Sequence, residues 1–314
     1  MTLETYRDQR AFREEDWLQK KSQLIMRYLT ASKIDAVVVG VSGGVDSALV
    51  VYLLSYIMGL PNSPLKRVMG VIAPVTGSEG ATGQGGATAR AIEVCQRAFI
   101  EHVVWDMGPT QATYKTLGDK ATHVNNTPWA QGQCLSIIRT PVFYYMAALM
   151  QEEGSRSVVC GTTNRDEGSY IGFYGKASDG MCDIQPISDL HKSEVYQVAR
   201  YLGVPESVLN ETPKGDVWDG RVDKQMIGAP YWYVEYFTGY ILPHSPPHAT
   251  IHTIPAQYLD PDTQIYAENI LKLHAQNAHK YLVGSPAVHF DVMDRYVPNG
   301  WSARNSYTYE MFTF

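Results

Sequence analysis

The sequence predicts an α/β fold, a doubly wound parallel sheet with flanking helices of the Rossmann-like kind. Three observations predict it. Short β-branched runs alternate with longer helical patterns as far as residue 203. The first run, Ala36-Val37-Val38-Val39-Gly40, empties through a glycine turn into an apolar helical stretch from Ala48. A later run, Ser157-Val158-Val159-Cys160, ends on the polar segment Gly161-Thr162-Thr163-Asn164. With 314 residues, 45% of them hydrophobic, the chain is long enough to bury a sizeable core. It is expected to form one domain over 1–314, with an aromatic and proline-rich elaboration from about residue 228.

The elements follow in order. Residues before Glu14 read as a charged tail. Glu14 to Ala31 reads as an amphipathic helix, since Trp17, Leu18, Leu24, Ile25, Tyr28 and Leu29 share a broad face. The opening strand and its helix come next, then a second strand, Val68 to Ala73, stopped by Pro74. Thr76 to Thr88 is rich in Gly, Ser and Thr, a loop composition that also suits a lid. Ala87 to Phe99 has helical spacing, and Glu101 to Trp105 is a third strand. A long helical pattern runs from Gln131 to Glu152, with Arg139 midway and Pro141 set to kink it or start a new helix. After the fourth strand, Asp183 to Ile187 is short and extended. Leu190 to Leu202 is a helix with Gly203 as its stop. Beyond Gly203, Pro, Tyr, Trp and His become frequent, as in Tyr231-Trp232-Tyr233, and read as loops and short helices wrapped over the sheet.

The turn Ser42-Gly43-Gly44-Val45-Asp46-Ser47 carries the first chemistry. A helix N-terminus at the carboxyl end of a parallel strand offers unpaired N–H groups and the positive end of the helix dipole. Gly43 and Gly44 let phosphate oxygens approach the backbone, while Ser42 and Ser47 add hydroxyl donors. Asp46 would repel a bare phosphate, so its presence implies a bridging Mg²⁺. This is not the P-loop, which is longer and ends in Gly-Lys-Ser/Thr. Glu167 follows the fourth strand, so its carboxylate rises from the same rim as that of Asp46 and could share the metal, but taken alone it reads better as a surface carboxylate in a charged loop.

Composition excludes other classes. The formal net charge is −6 and no basic block is present, which argues against nucleic acid. No apolar run approaches membrane-spanning length, and no signal peptide is visible. Cys95, Cys134, Cys160 and Cys182 lie far apart with no C-x-x-C pair, as suits reduced thiols in the cytoplasm.

The six-residue turn resembles the pyrophosphate loop of the ATP-pyrophosphatases, which cleave ATP between its α and β phosphates. Further blocks narrow the resemblance. They are Gly161-Thr162-Thr163-Asn164 with Glu167, Gly172 through Asp183, Pro186 through Lys192, and Thr212 through Trp218. Taken together and in order, they are similar to the NAD synthase family, over about residues 14–225. His279-Lys280 with Pro286 faintly resembles the family's C-terminal ending.

The resemblance implies amidation of deamido-NAD with ATP and ammonia through an adenylated intermediate. It implies that Ser42, Gly43, Gly44 and Ser47 cradle the β and γ phosphates, with Asp46 and Glu167 on Mg²⁺. Lys192 resembles the family's phosphate-binding lysine, Arg139 aligns with an arginine that reaches the nucleotide, and Thr162 resembles an ATP-contacting threonine. Lys176, Asp179 and Asp183 resemble residues of the deamido-NAD and ammonia sites, with Asp179 placed to orient ammonium or take its proton. Phe173 is a candidate to stack on the nicotinate ring, with a core role as the alternative. The residues before Ala31 leave no room for a glutamine-hydrolysing domain within this chain, so ammonia is the expected nitrogen source, with a separate glutaminase as an alternative partner. A homodimer is the family's usual state.

The chain departs from the family pattern in places. One extra residue lies between Glu167 and Gly172, which makes Asp166 a rival metal ligand. Gly175-Lys176-Ala177 stands where the family has Thr-Lys-Tyr, Lys214 replaces a small hydroxyl residue, and the second strand lacks a basic residue at its end. Residues 228–274 have no clear counterpart. Two other readings stay open: an ATP-pyrophosphatase that amidates or thiolates a base or RNA, and a non-catalytic adenine-nucleotide-binding protein.

Overall fold

Alternate residues of the first strand point to opposite apolar layers, and this sets the architecture. β1 (Ala36–Gly40) sends Val37 and Val39 toward one face and Ala36 and Val38 toward the other, all four fully buried. In the computed structural model, which describes residues 2–75, 84–121, 127–213, 221–246, 248–280, 288–291 and 306–308, β1 lies inside a seven-stranded sheet. The other strands are β2 (Arg67–Ile72), β3 (Glu101–Val104), β4 (Ser157–Cys160), β5 (Ile184–Gln185), β6 (Val288–Asp291) and β7 (Ser306–Thr308). Their order is β3-β2-β1-β4-β5-β6-β7, and every pairing is parallel. Val38 stands opposite Met69 of β2 and Val159 of β4. The strand order therefore reverses at the β1–β4 boundary, where open α/β sheets bind their ligands.

Helices cover both faces. α1 (Leu3–Arg10) precedes α2 (Glu14–Ser32), and α3 (Val45–Met58) follows β1. α4 (Gln84–Arg97), α5 (Gly108–Ala121), α6 (Pro128–Glu152), the single turn α7 (Arg165–Gly168) and α8 (Lys192–Tyr201) come next. α2, α3, α4 and α8 pack on the Val37 face, and α6 packs on the Val38 face. After α9 (Glu206–Leu209), the chain forms α10 (Asp223–Ile227), α11 (Tyr231–Tyr236) and α12 (Gln264–Asn277). A separate apolar cluster joins this part: Ile227, Tyr233, Val234, Phe237, Ile241 and Ile270 pack together with Tyr6 and Tyr170.

The structure corrects the sequence reading at several elements. The expected charged tail contains α1, capped by Thr2, whose hydroxyl accepts the Thr5 N–H at 3.3 Å. α1 is held by tertiary contacts at Tyr6, Arg7 and Arg10, which local periodicity does not reveal. α5 was not anticipated. α6 runs unbroken past Pro141 because neighbouring turns and the packing beneath it hold the helix. The extended segment after β4 pairs only over Ile184–Gln185, and β6 and β7 extend the sheet where only loops and short helices were expected. Most of the Thr76–Thr88 loop, Lys214 through Trp218, and Pro286 lie outside the described residues.

Candidate active site

At the sheet's switch point the turn after β1 is fixed by its own side chains. Ser42 N–H donates to Ser47 Oγ at 3.2 Å, and the two hydroxyls stand 3.1 Å apart. Gly44 caps α3, with its N–H donating to Ser42 Oγ at 3.3 Å. Gly43 adopts φ +80°, and a Cβ there would lie 2.2 Å from the Ala87 carbonyl oxygen. Both facts require glycine. Arg90 of α4 donates to the Gly43 carbonyl at 3.2 Å, which holds the turn from the far side. A cleft of about 550 Å³ opens beside this turn, walled by the ends of β1, β2 and β4.

Two carboxylates meet on one ammonium in that cleft, and a third lies across a tyrosine hydroxyl from them. Asp46, in the first turn of α3, accepts from Lys192 Nζ at 2.5 Å, and Glu167 of α7 accepts from the same nitrogen at 3.1 Å. Asn164 joins the two motifs: its Nδ2 donates to Asp46 Oδ1 at 2.8 Å, and its Oδ1 caps α7 by accepting the Glu167 N–H at 3.1 Å. Tyr231, at the start of α11, places its hydroxyl 2.7 Å from Glu167 Oε1 and 2.8 Å from Asp223 Oδ2. Its ring lies beneath the ammonium, 4.8 Å from Nζ to centroid. Burial alone would lower the Lys192 pKa, but the charges of Asp46 and Glu167 outweigh it and raise it. Burial raises the Glu167 pKa to about 7, with Asp46 and Asp223 adding to the shift and Lys192 opposing it.

Adjacent residues 166 and 167 face opposite ways. Asp166 is turned inward, fully buried, with Oδ1 2.6 Å from His191 Nδ1 and Oδ2 accepting the Lys192 backbone N–H at 2.8 Å. Burial lifts its pKa to about 7 and presses that of His191 down to about 3, with the Arg10 charge assisting the latter. Of the two rival ligands, Glu167 therefore reaches the cleft and Asp166 does not.

The remaining sequence-predicted residues divide. Thr162, Phe173, Asp179 and Arg139 line the cleft, with Arg139 Nε donating to the Ala73 carbonyl at the end of β2 at 2.9 Å. Ser178 Oγ donates to Asp179 Oδ2 at 3.5 Å. Lys176 is exposed and stands outside the cleft walls. Asp183 also stands outside them: its Oδ2 accepts the Val159 N–H at 2.7 Å and its Oδ1 the Tyr144 hydroxyl at 3.3 Å, so its carboxylate braces β4. Lys280 donates to the Gly172 carbonyl at 2.7 Å and to that of Tyr174, supporting the loop that carries Phe173. Sequence reasoning missed Asp223, Tyr231 and the structural part of Asn164. Only Asn164 had a local signal, because Asn three residues before Glu167 is a capping pattern.

The donor chemistry suits a hard divalent cation. Asp46 and Glu167 reach one cationic nitrogen from two segments, which marks the place between them as one where positive charge is stabilised. Among the described residues no group of three or more His, Cys, Asp or Glu is arranged to hold a metal. Mg²⁺ does not need such a cage, since it takes one or two carboxylates and completes its shell with phosphates and water. The adjoining N-terminus of α3 presents backbone N–H groups of the kind that phosphate oxygens accept.

Comparison with known proteins gives a consistent result. The family model for NAD synthase matches residues 17–283, so α1 precedes the matched span. The NH3-dependent NAD(+) synthetase of Methanoregula boonei is 33% identical over 209 residues, which is 67% of this chain and 76% of that protein. Among solved structures, an NMN synthetase from Francisella tularensis superposes with a TM-score of 0.67 at 23% identity, covering 86% of this chain and 96% of that one. An NH3-dependent NAD synthetase from Campylobacter jejuni gives 0.59 at 24% identity, with the same coverage of both chains. At such identity the two structural likenesses establish the fold.

Proposed function

This chain belongs to the NAD synthase family, and we propose from that premise that it forms NAD from deamido-NAD, ATP and ammonia, releasing AMP and pyrophosphate. One observation carries the reading: Asp46 and Glu167 meet on Lys192 beside the phosphate-ready start of α3. A carboxylate is a poor acyl donor, because oxide would have to leave. Nicotinate oxygen therefore attacks the α-phosphorus of ATP as the bond to pyrophosphate breaks. Ammonia nitrogen then bonds to the acyl carbon, AMP departs with the former carboxylate oxygen, and the nitrogen gives up a proton.

Each residue has a part in this. Ser42, Gly43, Gly44 and Ser47 hold the β and γ phosphates, and Lys192 neutralises charge that grows on them. Mg²⁺, held by Asp46 and Glu167, would supply further charge neutralisation on the pyrophosphate leaving group. Arg139 and Thr162 position the nucleotide, Phe173 faces the nicotinate ring, and Asp179 takes the proton from nitrogen. Lys176 meets the dinucleotide from the cleft's outside, and Asp183 acts by bracing the end of β4 through the Val159 N–H and the Tyr144 hydroxyl.

A homodimer is part of the proposal. α6 exposes Ile137, Tyr145 and Leu149, and the adjoining α5 exposes Tyr114 and Leu117, an apolar face that a second copy would cover. Sedimentation should show a dimer, and Tyr145→Glu should dissociate it. The four free thiols suit a reducing, cytoplasmic setting, and among the described residues no helix is long and apolar enough to cross a membrane.

The test is release of pyrophosphate and formation of NAD from deamido-NAD, magnesium ATP and ammonium. Replacing ammonium by glutamine should stop NAD formation unless a glutaminase is added. Release only with another acceptor would move the chain to a different ATP-pyrophosphatase activity, and nucleotide binding without release would make it a sensor.

A further inference from the structure

Helix α1 lies outside the family-matched span, yet it touches the segment that delivers Lys192. Tyr6 is buried, and its hydroxyl stands 2.8 Å from His191 Nε2. The other ring nitrogen of His191 is 2.6 Å from Asp166 Oδ1, and the second oxygen of Asp166 holds the Lys192 backbone N–H at 2.8 Å. A continuous chain of hydrogen bonds thus runs from α1 to the first residue of α8. Arg10 reinforces it from the same helix, donating to both carboxylate oxygens of Glu194 and, at 2.8 Å, to the Asp189 carbonyl. Glu194 in turn accepts the His191 N–H at 2.8 Å. One turn earlier on α1, Arg7 grips Glu235 of α11 through two hydrogen bonds at 2.7 and 2.6 Å.

The seat for Tyr6 is built to fit. A Cβ on Gly239 would lie 2.2 Å from the Tyr6 hydroxyl oxygen and from Cζ, so the ring occupies space that only glycine leaves. The Tyr6 and His191 rings meet edge to face, 5.8 Å between centroids. Both backbone N–H groups at the start of α8 are therefore held by side chains whose positions depend on α1. The Lys192 ammonium departs from that same residue toward Asp46 and Glu167.

We propose that α1 is a positioning strap for Lys192, with Tyr6 as a positioning residue that acts through His191 and Asp166. A small displacement of a charged group in a site that stabilises a transition state costs far more rate than binding. The strap's work is thus on the bond-breaking step and less on capture of ATP. The inference rests on Lys192 being the phosphate-holding lysine of the proposed reaction.

Tyr6→Phe is the deciding variant, because it keeps the ring in its seat and removes only the hydroxyl. Pyrophosphate release should fall about ten-fold in kcat while KM for ATP stays within about two-fold. The melting temperature should fall by only a few degrees, since one buried hydrogen bond is lost. Amide exchange over residues 189–194 should quicken, and the Nε2 chemical shift of His191 should move in protein carrying isotope-labelled histidine. Arg10→Lys, which loosens Glu194 and Asp189 without touching Tyr6, should show the same exchange and kcat pattern. Unchanged exchange and kcat in both variants would overturn the strap. So would a kcat loss accompanied by a matching fall in melting temperature with the His191 ring shift unmoved. If the unaltered chain releases no pyrophosphate, the proposed reaction fails by itself, and the exchange and ring-shift measurements still decide whether α1 governs the start of α8.

Discussion

The rim around residues 42–47 and the aromatic layer formed by residues 221–280 meet at one cleft, but they are made by different means. The rim is local. Its strand, turn and helix are consecutive in sequence, and Gly43 takes a left-handed φ of +80° that glycine adopts without strain. The layer is assembled from α10, α11 and α12, which pack together with Tyr6 and Tyr170. Yet the layer gives the site Tyr231, whose hydroxyl lies 2.7 Å from Glu167, and Asp223, 2.8 Å from the same hydroxyl. A site can therefore be announced by one region and completed by another that carries no motif.

The sharpest break of this comparison is at Asp46. Asp46→Asn keeps the shape and the Asn164 neighbour but removes the charge that pairs with Lys192 and with a bound cation. Turnover should fall by about a thousand-fold or more, with stability little changed, as read by pyrophosphate release and thermal melting. Near-normal turnover would remove the rim from the chemistry. Gly43→Ala tests the rim's geometry instead of its charge. A Cβ in that left-handed turn meets the Ala87 carbonyl, so the substitution should cost about 1–3 kcal/mol of stability. It should also weaken ATP binding, measured by denaturant titration and calorimetry.

Those two effects are legible in the sequence because strand, glycine turn and helix start are local signals. So are the ends of β4 and the run to Lys192, where short-range order fixes what lies on the sheet's edge. Asp166 and Glu167 could not be told apart in sequence, because which of two neighbours faces the cleft depends on His191 reaching back to α7. Lys176 and Asp183 sat in a matching block but lie outside the cleft walls, since the turn between them sends one to solvent and the other under β4. Helix α1 was unreadable for the same reason as the layer: its hydrogen bonds cross the sequence by 179–228 positions. Contacts of that span leave no periodic trace.

Tyr231→Phe carries the comparison into the layer. The hydroxyl has one proton to give and two carboxylates within reach, so its loss frees Glu167 and Asp223 to repel each other. Activity should fall about ten-fold, equivalent to roughly 1.4 kcal/mol, while the ring still sits under Lys192. Normal activity would mean that the layer only covers the cleft and takes no part in setting its charges.

The smallest expected effect separates the two regions by pH. Burial raises the Cys95 thiol, in the sheet core, to about 12, and burial raises the Tyr170 hydroxyl, packed against the layer, to about 12. In each case the folded chain holds its proton more tightly than the unfolded chain does. The stabilisation is complete below the ordinary pKa, near 9 for the thiol and 10 for the phenol, and is lost as pH rises toward the folded value. Stability should thus begin to decline at lower pH through the Cys95 thiol than through the Tyr170 hydroxyl. The difference in thiol-reagent uptake between the unaltered chain and Cys95→Ser, and the difference in tyrosinate absorbance between it and Tyr170→Phe, followed during alkaline titration in denaturant, report the two groups separately. Uptake at Cys95 near neutral pH, without unfolding, would show that the sheet core is open to solvent and would remove burial as the cause of the raised thiol.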